Sequence, residues 1–133
     1  MRKKRLRGET GATLVEFAIA STLFFLFVFA GVGFSQVVSR YNTVANASKA
    51  AVRWAAVRGA SSGAVATDVQ VHDYIVTKMN GISETDSTTW NPTTKAIGSV
   101  VTVVVRSTYT VTVPLLGSFT RTMRSASQME VLR

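Results

Sequence analysis

A chain of 133 residues has room for one small domain, and with no cysteine it has no disulfide staple, thiolate nucleophile or cysteine-zinc site. The formal charge of +8 suggests a nucleic-acid partner, but its distribution excludes that reading. Arg2, Lys3, Lys4, Arg5 and Arg7 crowd ahead of any fold; removing residues 1–11 takes away those five charges and Glu9, leaving +4 (8 − 5 + 1), spread without a cluster or a nucleic-acid-binding motif.

From Phe17 to Ser39 no side chain is charged. About 20 helical residues cross the roughly 30 Å of bilayer hydrocarbon, so the run is long enough to span a membrane, with its transmembrane part at about residues 14–38. Gly31, Gly33, Ser35 and Gln36 soften its second half. The basic residues upstream satisfy the positive-inside rule and place the N-terminus in the cytoplasm. A cleaved secretory signal is the competing reading. Its apolar region usually runs about 7–15 residues to a small-residue cleavage site. Here the run is longer, and the nearest A-x-A, Ala45-Asn46-Ala47, lies well past its end. One residue is out of place: Glu16 puts a carboxylate near the start of the apolar run, where an acid costs a few kcal/mol and is usually kept for a purpose.

No proline or glycine falls between Gly33 and Gly59, so the helix is expected to continue beyond the membrane, from about Ala12 to Arg58. Tyr41, Val44, Ala45, Ala51, Val52 and Ala55 recur at helical intervals and form the expected buried stripe, with Asn42, Asn46, Lys49 and Arg53 largely away from it and Gly59 as C-cap. "GASSGA" (59–64) reads as a linker. Thr67 or Asp68 then caps a second helix through about Met79, with Val69, Ile75 and Val76 among its buried residues and Asn80-Gly81 ending it. "SETDSTTWNPTTK" (83–95) is polar and turn-rich, with room for a short strand. In "VVTVVVRSTYTVTV" Val101, Val103, Val105, Tyr109, Val111 and Val113 alternate with Thr102, Arg106, Thr108, Thr110 and Thr112, the period-2 pattern of a half-buried strand. Pro114-Leu-Leu-Gly117 makes a turn, and "SFTRTMRSASQMEV" returns as its hairpin partner. The expected fold class is α+β, pilin-like: a long N-terminal helix, a short second helix and a small antiparallel sheet.

The residues around Glu16 carry a resemblance. "G-ATLVE-F", Gly11 through Phe17, resembles the class III signal of prepilins: a basic leader, a glycine, four residues, a glutamate and an apolar helix. Within that group the chain is similar to the TadE-like proteins, minor pilins or pseudopilins of the tight-adherence (Tad, type IVc) pilus. The likeness runs through "NASKAAVRWAAVRG" and the Val/Thr-rich strands, and is specific in residues 8–58. It implies a leader at 1–11, a helix at 12–58 and an extracytoplasmic α/β head at 59–133. It further implies that a prepilin peptidase cuts between Gly11 and Ala12 at the cytoplasmic face, since cutting at Gly8 would put Thr13 rather than a glutamate at the fifth mature position. Glycine suits a cleft that needs close backbone approach. Cleavage would leave a cationic amine on Ala12 with Glu16 one helical turn away, and in the family this glutamate is thought to pair with the amine of a neighbouring subunit. The resemblance implies major and minor pilins, the peptidase and an inner-membrane assembly platform as partners. Its implied location is the bacterial inner membrane, single-pass with the head outside, and then the pilus.

The remaining constellations are weak. His72 is the only histidine, so no histidine pair holds a metal, and with Asp73 beside it the residue reads as a surface helix position. Asp68, Asp73, Glu84 and Asp86 lack calcium-loop spacing. Asn46-Ala-Ser48 matches a glycosylation sequon at about chance level, inside a predicted helix, and Trp54 and Trp90 read as packing or interfacial residues. No catalytic motif, cofactor motif or small-molecule site is present, so no enzyme is expected. Two other readings stay open: a bitopic envelope protein whose uncleaved anchor carries a small binding head, and a pseudopilin of a type II secretion system.

Overall fold

The computed structural model describes residues 9–82, 84–114 and 117–132. The basic leader at residues 2–7, Gly8 and the two leucines of the expected Pro114–Gly117 turn lie outside them. Helix α1 spans Glu9–Ala56, 48 residues without a break, about 72 Å at 1.5 Å per residue. It starts before Ala12 and stops two residues short of Arg58. Gly59 is buried and does not take a left-handed conformation. Arg58 closes the helix instead: its N–H donates to the Ala55 carbonyl at 2.9 Å, and its guanidinium donates to the Trp54 carbonyl at 3.2 Å while lying over the Trp54 ring. A cation at the negative end of the helix dipole is favourable there.

The buried face of α1 comprises Val44, Ala47, Ser48, Ala51, Val52, Ala55 and Ala56. Tyr41, expected on this stripe, is 52% exposed, and Ala45 is only half-buried. The covered positions step by three and four as expected, but the face is centred on Val44, leaving Tyr41 at its edge. Asn42, Asn46, Lys49 and Arg53 do face outward. Most residues of the stripe are small, which lets a sheet approach the helix backbone closely.

Helix α2, Asp68–Met79, begins at a capping box: Thr67 Oγ1 accepts from the Gln70 N–H at 3.2 Å, and Gln70 Oε1 accepts from the Thr67 N–H at 3.1 Å. Asn80 ends it with φ 50° and ψ 50°, the left-handed cap that asparagine tolerates. Its buried residues are Val71, Ile75 and Met79, a single i, i+4 ladder. Val69 and Val76, expected inside, are exposed, because neither lies on that ladder. Segment 59–67 is tied down at both ends: the Ala60 N–H donates to the Lys95 carbonyl, the Ala66 N–H to the Arg58 carbonyl, and Lys95 Nζ to the Ala66 carbonyl.

Three antiparallel strands follow in the order β1-β2-β3, with β1 at Thr85–Asn91, β2 at Val100–Val113 and β3 at Gly117–Glu130. The polar "SETDSTTWNPTTK" stretch therefore holds a full seven-residue strand, paired from Thr85↔Arg106 to Asn91↔Val100. Val101, Val103 and Val105 are completely buried against the helices, as the alternation in the sequence requires. Ser48, also fully buried, sits between α1 and β3 with its hydroxyl 2.8 Å from Ser125 Oγ and 3.0 Å from Ser127 Oγ. Trp90 is buried, its indole N–H donating to Asp68 at 3.1 Å, and Trp54 stacks on Tyr74 at 5.3 Å between centroids. Both tryptophans are packing residues.

The hairpin outruns the third strand. β2 and β3 pair from Val100↔Glu130 to Val113↔Gly117, whereas β1 ends opposite Arg106. Residues 107–113 and 117–123 thus form a two-stranded ribbon, which is marginal in isolation. It lies along α1. Val111 Cγ1 would stand 3.0 Å from a Cβ at Gly33, Tyr109 donates its hydroxyl hydrogen to Gln36 Oε1, and the Arg40 guanidinium lies 4.1 Å above the Tyr109 ring. On the outer face Thr108 pairs with Thr122, Thr110 with Thr120 and Thr112 with Ser118, hydroxyl to hydroxyl at 2.9–3.1 Å.

Gly33 is where the ribbon touches the helix most closely, so Gly33→Leu is expected to lower the unfolding free energy by about 1–3 kcal/mol through overpacking. Gly31→Leu, on a face where a Cβ meets nothing within 4 Å, removes a helix-weakening glycine without a clash and is expected to be neutral or stabilising. Denaturant unfolding of both variants in detergent checks this; equal effects would remove the contact as the cause.

Candidate functional site

Gly11, Ala12, Glu16 and Phe17, the residues singled out by the sequence, all lie in the first turns of α1. Every residue from Gly11 to Ala20 is exposed. A Cβ at Gly11 would meet nothing within 4 Å, so its freedom from a side chain answers no packing need among the described residues. Ala12 and Glu16 stand four residues apart, about 6 Å along the axis and on one face. Among the described residues Glu16 has no ion-pair partner. The helix is already formed at Glu9, so the peptide joining Gly11 to Ala12 has helical geometry.

Beyond Thr13, one turn before it, the surface around this acid is mostly apolar. Phe17, Phe27 and Phe34 are 70% or more exposed (71%, 76% and 70%), and Phe24 and Phe25 are more than half exposed. The only mutual shielding among the phenylalanines is local, Phe24 against Phe25 at 5.6 Å and Phe25 against Phe29 at 6.4 Å. So large an apolar surface is unstable in water and marks a segment covered by lipid or by other protein. Among the described residues α1 is the one helix long and apolar enough to cross a membrane.

One side of that surface is partly covered. Leu26, Ala30, Gly33, Val37 and Arg40 are half-buried at intervals of three and four, and they continue the line of Val44 toward the N-terminus. The ribbon lies over this line, and Pro114 at its tip shares a shallow apolar groove with Thr22, Phe25, Leu26 and Phe29. Gln36, Arg40 and Tyr109, which hold the ribbon at its mid-length, were not identified from the sequence. Gln36 had stood out only as a polar residue in an apolar run, and nothing local revealed its partner 73 positions away.

Residues 11–53 match the family model described as TadE-like protein, a span that runs from the glycine of the motif almost to the end of α1. No curated protein and no solved structure matches the chain. The likeness to the TadE-like family thus covers residues 11–53, a segment that lies wholly within the long apolar helix α1 and includes Glu16.

Proposed function

We propose that the protein is a minor pilin or pseudopilin, inserted in the bacterial inner membrane with its N-terminus in the cytoplasm, cut between Gly11 and Ala12 by a prepilin peptidase, and used in building a Tad pilus for adhesion. The observation that carries this reading is Glu16: an exposed carboxylate with no ion-pair partner among the described residues, on a mostly apolar helix surface. Removed from water such a charge is heavily penalised unless an opposite charge meets it. The amine created at Ala12 by cleavage is a cation at the same end of the helix, and the amine of a neighbouring subunit supplies the pairing that sets the stagger between helices. The other partners are the major pilin, sister minor pilins and the assembly platform. The protein acts by assembly and is not an enzyme.

About twenty residues counted from the expected start of the span near residue 14 put the outer hydrocarbon boundary near residue 33, short of the expected end at about 38 and level with the contact between Gly33 and Val111. On the side under the ribbon, protein covers the helix from Leu26 outward. Open strand edges are not stable in hydrocarbon, so on that side the lipid-facing surface stops short of the ribbon tip. In a filament, where α1 lies among other helices, that limit disappears. The unbroken helix through Gly11 is the one observation favouring the second reading, an uncleaved bitopic anchor. Cleavage requires the first turn to open, and a glycine there lowers the cost by about 0.5–1 kcal/mol relative to alanine.

Intact-mass analysis of the membrane-extracted protein is expected to show Ala12 at the N-terminus, and Gly11→Val is expected to block processing by excluding the chain from the peptidase cleft. Met1, or Ser48 after a secretory-type cut, at the mature N-terminus would sink the pilin reading.

Glu16→Ala is expected to leave processing and insertion intact, insertion even becoming easier as an intramembrane acid is removed. Incorporation into pili should be abolished, because the partner amine is then buried without a counter-charge, at roughly 3–5 kcal/mol. Glu16→Asp should be intermediate, keeping the charge with a shorter reach. Sheared-pilus and membrane fractions probed side by side give the readout; normal incorporation of the alanine variant would reduce Glu16 to a boundary residue.

A further inference from the structure

The head carries a second constellation, independent of the pilin reading, at the seam between α2 and β1. His72 on α2 points its Nδ1 at Asp86 Oδ1 on β1, 2.5 Å away. Glu84, just before β1 and two residues from Asp86, completes the group: one ligating atom from each of His72, Glu84 and Asp86 lies within 4.8 Å of the others. The His72 ring is half-exposed at 49%, while the Asp86 side chain is 12% exposed.

Glu84 is the anomalous member. Both of its carboxylate oxygens are buried, and neither has a hydrogen-bond partner among the described residues. A buried carboxylate with no donor pays its full desolvation cost, and native structures seldom leave such a group unexplained. Burial pushes the Glu84 carboxyl above its ordinary range, and the negative charge of Asp86 pushes it the same way. The hydrogen bond between His72 and Asp86 accounts for those two residues but leaves Glu84 without one among the described residues.

We infer that His72, Glu84 and Asp86 form a binding site for a divalent transition-metal cation of the zinc type, which fastens α2 to the first strand of the head. One imidazole nitrogen and two carboxylate oxygens are a borderline donor set, suited to zinc rather than to the all-oxygen shells of calcium and magnesium. Two carboxylates and a neutral ring balance a 2+ charge. Donor atoms at about 2.0–2.2 Å from one ion stand about 3 Å apart, and atoms already within 4.8 Å reach that spacing by side-chain rotation. The exposed edge of His72 provides the way in for the ion and room for a water as fourth ligand. Metal binding would join residues 14 positions apart on two elements, and would satisfy the carboxylate that the fold otherwise strands.

The test uses the full chain in detergent, stripped with chelator and titrated with Zn²⁺ by calorimetry, with Co²⁺ as a spectroscopic probe. The wild type is expected to take up one Zn²⁺ per chain, to gain thermal stability with it, and to give Co²⁺ the intense visible absorption of a low-coordinate nitrogen–oxygen site. Glu84→Gln, which keeps the shape and removes the charge, is expected to weaken Zn²⁺ binding at least by the roughly 10–100-fold that loss of even an outer-shell partner costs, and to abolish the cobalt band. His72→Gln should do the same, while Asp73→Asn, beside His72 but outside the group, should leave both signals unchanged. If a variant fails to fold by circular dichroism, the wild-type titration and the other variant decide. No uptake by the wild type, or uptake and cobalt spectrum unaffected by Glu84→Gln and His72→Gln, would overturn the inference and leave a His72–Asp86 contact beside an unmatched glutamic acid.

Discussion

The contact on which the rest of this molecule depends is the close approach of a three-stranded sheet to one stripe of a 48-residue helix. The approach is possible because the stripe is built from residues with little side chain. Ala47, Ser48, Ala51, Ala55 and Ala56 lie under the wide part of the sheet, and Gly33 lies under the ribbon. Three fully buried valines of β2 meet that stripe, each worth about 1.5–3 kcal/mol of burial relative to exposure. Without the helix the ribbon would be a bare hairpin, and without the sheet the second half of α1 would be an amphipathic helix with only α2 to cover its apolar face.

The stripe also ties the two halves of α1 together. From Ala56 back to Leu26 one line of residues is covered by the chain's own sheet, while the other faces change character along the way: polar at Asn42, Asn46, Lys49 and Arg53, apolar from Phe34 back to Leu14. A helix used this way presents a finished head at one end and an unfinished surface at the other. In the reading proposed above, the unfinished surface is what the chain brings to lipid and to its neighbours. Glu16 belongs to that surface, and its lack of an ion-pair partner among the described residues is of a piece with the uncovered phenylalanines around it.

The head shows the same logic at smaller scale. Its outer face is a row of threonine and serine hydroxyls that satisfy one another across β2 and β3, so it needs no cover. Its seam with α2 is different, since there Glu84 has no hydrogen-bond partner among the described residues. A polar group that the fold leaves unmatched is the point at which something from outside has a role.

Much of this was legible in the residues because the deciding forces are local or periodic. The charge-free run from Phe17 to Ser39, the capping residues Thr67 and Asn80, and the alternation of Val101, Val103 and Val105 each report a helix or strand through its own neighbours, and each element formed as they indicate. The glutamate motif drew the family resemblance that residues 11–53 bear out. Which face of an element is buried was less legible. Tyr41, Val69 and Val76 are apolar residues left outside, since a helix rotated slightly about its axis keeps its periodicity but changes its partners. The strand in the polar 85–91 stretch forms because Val100–Arg106 offers it an edge to pair with, which outweighs its weak intrinsic preference. In the sequence Glu84 and Asp86 stood out only as acids without calcium-loop spacing. That Asp86 meets His72, and that Gln36 meets Tyr109, was decided only by the tertiary structure, because contacts between residues 14 and 73 positions apart depend on where whole elements dock.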